Sequence, residues 1–109
     1  MSPTIQSLVI PVSDLAAAKQ VYTALLGDPH TDTPYYVGFN ANGFEVSLAP
    51  NQGTDGPVAF ADVDDLDGTR EALLAAGATE KSAPRQVAPG ARVCVLADPN
   101  GNSIGLRGA

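Results

Sequence analysis

From Thr4 to Val12 (TIQSLVIPV) the chain is apolar and β-rich and ends at Ser13-Asp14, a pattern that predicts a strand. Leu15, Ala18, Val21, Tyr22, Leu25 and Leu26 then fall on one helical stripe, with Lys19, Gln20 and Thr23 outside it. Ser13 or Asp14 caps this helix and Gly27 stops it, so a helix over 15–26 is expected, with Leu25 packed in the core. Gly27 to Pro34 (GDPHTDTP) reads as a turn-rich loop. Tyr35 to Phe39 and Phe44 to Leu48 read as short strands joined by Asn40-Ala41-Asn42-Gly43, whose Asn-Gly pair is a strong hairpin signal.

After a linker at about 51–57 the pattern recurs. Val58 to Val63 predicts a strand and Asp64-Asp65-Leu66 opens a helix running to Ala76. A short strand near Thr79 leads into a loop over 81–90. Arg92 to Ala97 and Asn102 to Leu106 read as strands around the turn Asp98-Pro99-Asn100-Gly101. The two halves overlay. Val12-Ser13-Asp14-Leu15 matches Val63-Asp64-Asp65-Leu66 at an offset of 51 residues, and Val46-Ser47-Leu48 matches Ile104-Gly105-Leu106 at an offset of 58. Each half is a strand, a helix and a hairpin with one extra short strand, too small to bury its own faces alone. The expectation is one α+β domain over 1–109, with module 1 at about 1–50 and module 2 at about 58–109. Their shared curved mixed sheet would carry helices on the convex side and a concave cleft.

Composition narrows the class. Hydrophobic residues at 44% and charged residues at 17% exclude a disordered chain. Six Lys and Arg against twelve Asp and Glu give a net charge of −6, which disfavours nucleic acid and anionic membrane as partners. One cysteine, Cys94, excludes an intrachain disulfide and a Cys-cluster zinc site. No apolar run approaches bilayer length and no leader-like start is present, so a cytoplasmic protein is expected.

Ile10-Pro11-Val12-Ser13-Asp14-Leu15, Val21-Tyr22, Leu25-Leu26-Gly27, Val63-Asp64-Asp65-Leu66-Asp67, Leu73 to Gly77 and Asp98-Pro99-Asn100-Gly101-Asn102-Ser103-Ile104 occur in one order across nearly the whole chain. Together with the duplication, they resemble the vicinal oxygen chelate superfamily of glyoxalases, extradiol dioxygenases and bleomycin-binding proteins. The resemblance implies paired βαβββ modules. It also implies a divalent metal held by His, Glu or Gln at equivalent places in the two modules. Those places map to Ser7, Ser47, Val58 and Gly105, and no such ligand stands at any of them. No cofactor is therefore expected. The lone histidine, His30, reads as a solvated loop side chain.

Strand alternation sorts the remaining candidates. Val37, Phe39, Phe44, Val46 and Leu48 should pack under the helices, as should Val93, Val95, Ile104 and Leu106. The concave side then takes Ser7, Val9, Tyr36, Glu45, Ser47, Val58, Phe60, Asp62, Arg92, Cys94, Gly105 and Arg107. An apolar floor ringed by Tyr, Glu, Asp and Arg suits a small-molecule pocket, and the acidity suits a cationic or aromatic ligand. Cys94 reads as a packing residue rather than a nucleophile. Three functions follow. The first is a metal-free binding protein of the bleomycin-resistance type. The second is a metal-independent enzyme using Glu45, Tyr36 or an arginine. The third is an interaction module that dimerises. A homodimer is expected by analogy with the family.

Overall fold

The computed structural model describes residues 4–50 and 56–109. The elements are β1 (Thr4–Val12), α1 (Leu15–Leu26), β2 (Thr31–Thr33), β3 (Tyr36–Ala41), β4 (Phe44–Pro50), β5 (Val58–Val63), α2 (Leu66–Ala75), β6 (Thr79–Ala88), β7 (Ala91–Ala97) and β8 (Ser103–Gly108). The chain divides into two compact units. The first spans Ser7–Val58. The second takes Ala59–Ala109 with the start of β1 through Gln6. Residues 51–55 of the expected linker lie outside the described residues.

In the first unit the strands run in the order β2-β3-β4-β1. β1 is parallel to β4, and β3 is antiparallel to both of its neighbours. Asp14 starts α1 by accepting from the Ala17 N–H at 3.0 Å. Gly27 ends it with φ +89°, donating its own N–H to Thr23 O at 2.9 Å. The β3–β4 turn uses Asn42 and Gly43, both at positive φ, and the Asn40 side chain accepts from the Gly43 N–H at 2.6 Å. Val37, Phe39, Val46 and Leu48 form the buried core, covered by Ile10, Leu15, Ala18, Tyr22 and Leu26. That is the helix-facing set expected from alternation in this hairpin.

Two expectations for this unit are corrected. Leu25 is not core: it is 72% exposed, and Val21 beside it is 65% exposed. Leu15, Ala18, Tyr22 and Leu26 alone make the stripe that meets the sheet, and the wider apolar arc overestimated what a single sheet face covers. The loop over 27–34 also contains β2. Its three residues pair with β3, extended by a His30 N–H donated to Gly38 O at 2.9 Å.

In the second unit the order is β5-β8-β7-β6, with β5 parallel to β8 and the rest antiparallel. Asp65 caps α2 through the Gly68 N–H at 3.0 Å. Gly77, at φ +117°, closes it: Ala78 N–H donates to Leu73 O and Gly77 N–H to Leu74 O. Val63, Leu66, Cys94, Leu96 and Leu106 form the core, with Ala61, Leu73 and Leu74 packed on it. The expected loop over 81–90 is a correction. β6 runs ten residues along β7, interrupted by register shifts. Its polar, non-alternating sequence with Pro84 gives no strand signal of its own. At the outer position of this order, only one side needs to bond, and a proline is tolerated.

The structure reproduces the internal repeat at the level of register. Val9 stands opposite Ser47 in the first unit. Phe60, 51 residues after Val9, stands opposite Gly105, 58 residues after Ser47, in the second. No helix among the described residues is long and apolar enough to cross a membrane.

Candidate functional site

The face of the first unit opposite α1 is built by register. Ser7 lies opposite Glu45 and Val9 opposite Ser47 across β1–β4. Gly38 lies opposite Ser47 and Asn40 opposite Glu45 across β3–β4. Since directly opposed residues share a face, Ser7, Val9, Tyr36, Gly38, Glu45 and Ser47 come together, as alternation predicts. Apart from Val9 these residues are polar or glycine, while the other face of the same strands is apolar. The alternation is therefore the physical cause of the site.

Glu45 is the centre of this face. Its Oε1 lies 2.7 Å from Nε2 of His30, and its Oε2 accepts a short hydrogen bond from the Tyr36 hydroxyl. His30 in turn places Nδ1 2.8 Å from the Thr31 hydroxyl. The convergence depends on Gly38. A Cβ at that position would stand 2.7 Å from Glu45 Oε2, 2.8 Å from Tyr36 Cε1 and 2.9 Å from His30 Cε1. Glycine thus makes room for three functional groups over one point of the sheet. Glu45 is about one third exposed, so the network is reachable by solvent and by a ligand.

His30 is the member of this cluster that sequence reasoning did not place on the face. It was expected as a solvated loop histidine, but β2 draws the loop onto β3 and brings its ring to Glu45. The available signal was the Thr31-Asp32-Thr33 alternation directly after it, a three-residue edge strand too short to stand out.

In the second unit the face opposite α2 carries Phe60, Asp62, Gly105 and Arg107, as expected, together with Val93 and Val95. Val58, which opens β5 at the end of the first unit, is buried and shares the parity of Phe60. The placements of Arg92 and Cys94 are corrected. Cys94 stands opposite Leu106 and is buried in the α2 core beside Leu66 and Leu96. Burial pushes its thiol up, so it stays protonated. Arg92 points the same way and grips Asp67, in the first turn of α2, at 2.9 and 3.2 Å. That hydrogen bond holds the Asp67 carboxyl below its ordinary range. Val93 and Val95 accordingly face away from α2.

The inversion of β7 has a local cause. The turn is five residues, 98–102, with Ala97 opposite Ser103. Asp98 closes it by accepting from the backbone N–H groups of Asn100 at 2.8 Å and Asn102 at 2.9 Å. These bonds hold the Asp98 carboxyl low. Counting a four-residue turn exchanges the two faces of β7.

The metal positions implied by the resemblance do not fit a metal. Ser7 and Ser47 offer hydroxyls only, and Val58 offers no donor. At Gly105 a Cβ would meet the Phe60 ring at 2.5–2.7 Å, so an aromatic side chain already fills the space into which a ligating side chain would project. No group of three or more His, Cys, Asp or Glu suited to a metal occurs among the described residues. A separate hollow of about 440 Å³ lies on the helix side of the first unit, between Leu15, Ala16, Lys19, Asp32, Thr33, Pro34 and Val37. The Lys19–Asp32 ion pair stands on it, and it shares no residue with the Glu45 network.

No curated protein matches the chain. Among solved structures it is similar to an NAD-dependent benzaldehyde dehydrogenase from Legionella pneumophila, at 16% identity and TM-score 0.76, over 93% of this chain and 96% of that one. A glyoxalase/bleomycin resistance protein/dioxygenase superfamily member from Vibrio splendidus is 13% identical with TM-score 0.71, over 97% of each chain. Methylmalonyl-CoA epimerase from Mycobacterium tuberculosis is 17% identical with TM-score 0.69, over 98% of this chain and 91% of that one. These identities establish likeness of fold. The family model of the Glyoxalase/Bleomycin resistance protein/Dioxygenase superfamily matches residues 4–106, and the chain, with its duplicated strand–helix–hairpin units, belongs to that superfamily.

Proposed function

We propose that this protein binds a small organic ligand without a bound metal, on the polar face around Glu45. Members of the superfamily bind small molecules. The observation that carries the reading is the convergence of His30, Glu45 and Tyr36 over Gly38, on a face whose metal-ligand positions hold hydroxyls instead of ligands. A carboxylate held on both oxygens is preorganised. It retains lone pairs for a ligand N–H or O–H, and the phenol and imidazole beside it supply further polar contacts.

The test is a thermal-shift and calorimetric screen of metabolites and antibiotics. A hit is expected to weaken about tenfold or more in Glu45→Gln, the size of a lost charge-assisted hydrogen bond. Circular dichroism checks that the variant folds. A hit indifferent to Glu45→Gln, or no hit at all, overturns the reading. So does nickel, zinc, manganese or iron that stays stoichiometrically bound after dialysis.

The Glu45–Tyr36 hydrogen bond favours one second reading, a metal-independent acid–base enzyme. The carboxylate would take a proton from the ligand while the phenol supports the developing charge. Turnover lost in Glu45→Gln with binding retained would select it. The proposal includes a homodimer, in which a second copy covers the exposed Val21 and Leu25 of α1. Sedimentation at micromolar concentration tests this, and a monomer overturns it.

A further inference from the structure

We propose that the face of the second unit opposite α2 binds an organic anion, a carboxylate or phosphate monoester with an apolar body, between Arg85 and Arg107. The inference rests on the ligand-binding reading for the use of this kind of face. It names a ligand class opposite in charge to the cation that overall acidity suggests.

Register sets the arrangement. Arg85 stands opposite Val93 across β6–β7, and Val93 stands opposite Arg107 across β7–β8. The two arginines therefore flank one valine in a single row, about 10 Å apart across three strands. The next row is Ser82, Val95, Gly105 and Phe60. There the Phe60 ring lies against Gly105, leaving a flat apolar seat beside the cationic row. The opposite parity, Cys94, Leu96 and Leu106, is taken up by the α2 core, so Val93, Val95 and Arg107 face away from the helix.

Charge pairing points to an anion. Arg70 and Arg92 bind carboxylates, Glu80 and Asp67. No ion pair among the described residues involves Arg85 or Arg107, although acidic residues outnumber basic ones two to one in this chain. Both arginines are exposed. A planar guanidinium fork matches carboxylate and phosphate oxygens. Asp62, opposite Arg107 on β5, ends the row with a negative charge, so the anion belongs on the Val93 side of Arg107.

The experiment titrates isotope-labelled full-length protein with benzoate, phenyl phosphate, inorganic phosphate, benzyl alcohol and benzylamine at low salt. Chemical shifts are followed in the parent, Arg85→Gln/Arg107→Gln, Arg85→Lys/Arg107→Lys and Glu45→Gln. Benzoate or phenyl phosphate should saturate and move the amides of Val93, Val95 and Arg107, and the stronger of the two identifies the oxyanion preferred. The double Gln variant should weaken that binding about tenfold or more, and the double Lys variant, which keeps the charge but loses the fork, should fall between.

Equal binding of benzyl alcohol or benzylamine, equal binding of inorganic phosphate, or an unchanged affinity in the double Gln variant overturns the inference. A probe lost in Glu45→Gln but retained in the double Gln variant supports ligand binding at Glu45 and overturns this site alone. Failure of every probe in every protein overturns this inference alone, since the Glu45 reading stands or falls on its own ligand screen.

Discussion

The two units share one plan and differ in what they put on the face away from the helix. In the first, β1, β3 and β4 present Ser7, Gly38, Glu45 and Ser47, and a three-residue β2 adds His30 at the edge. In the second, β5, β7 and β8 present Phe60, Val93, Val95, Gly105 and Arg107, and a ten-residue β6 adds Arg85. Each face has one glycine, used differently. Gly38 makes room for a hydrogen-bonded cluster, whereas Gly105 is covered by an aromatic ring. The cores under the two helices are alike, apolar and buried, because packing a helix on a sheet leaves little freedom there. The other face is unconstrained by the core, and there duplicated architecture carries divergent chemistry.

The largest expected effect probes the shared side. Phe39→Ala in the first unit should cost about 3–5 kcal/mol, and Leu96→Ala in the second about 2–5 kcal/mol, since both side chains are fully buried. Urea unfolding measures both. A loss below about 1 kcal/mol in one unit only, far under the range for buried truncations, would break the equivalence of the two cores.

The glycines come next. Gly38→Ala should cost about 1–3 kcal/mol through overpacking and should separate His30 from Glu45, visible as changed imidazole signals in NMR. Unchanged imidazole signals would show that the cluster does not need the glycine.

The two hairpin turns supply a smaller contrast. Both turns use a glycine at positive φ and a side-chain acceptor, but the first is closed by the neutral Asn40 amide and the second by the Asp98 carboxylate. Because the folded-state value of Asp98 is depressed, its contribution is present above the ordinary carboxylate pKa of 3.8 and is lost as pH falls through the folded value. Asp98→Asn should be less stable than the parent at pH 6, with the gap closing in acid. A gap independent of pH would remove the carboxylate from the explanation.

Cys94 should react with iodoacetamide at pH 8 only as fast as the second unit opens, because burial keeps the thiol protonated and covered. Prompt labelling of the folded protein would place Cys94 on the wrong face.

The smallest effect is expected at Leu25→Ala, within about 0.5 kcal/mol for an exposed position. A larger loss in a dilute, monomeric sample would put Leu25 back in the core.

The sequence by itself determined the duplicated plan, both helices and the polar face around Glu45. Apolar periodicity, capping aspartates and the Asn-Gly turn are local signals, and each acts on the residues that carry it. Alternation within β3 and β4 likewise needed only a two-residue turn to fix which side chains met α1. Tertiary structure decided the rest, where the determining contact lies far along the chain or where one residue reverses a parity. β6 is a strand because β7 bonds it, despite Pro84 and a polar sequence. Arg92 and Cys94 face α2 because the Asp98 side chain stretches its turn to five residues. His30 meets Glu45, fifteen residues away, because β2 pairs with β3 and Gly38 carries no side chain to keep them apart. A strand's period of two residues makes facing legible only after the partner and the turn length are known, and those belong to the folded chain.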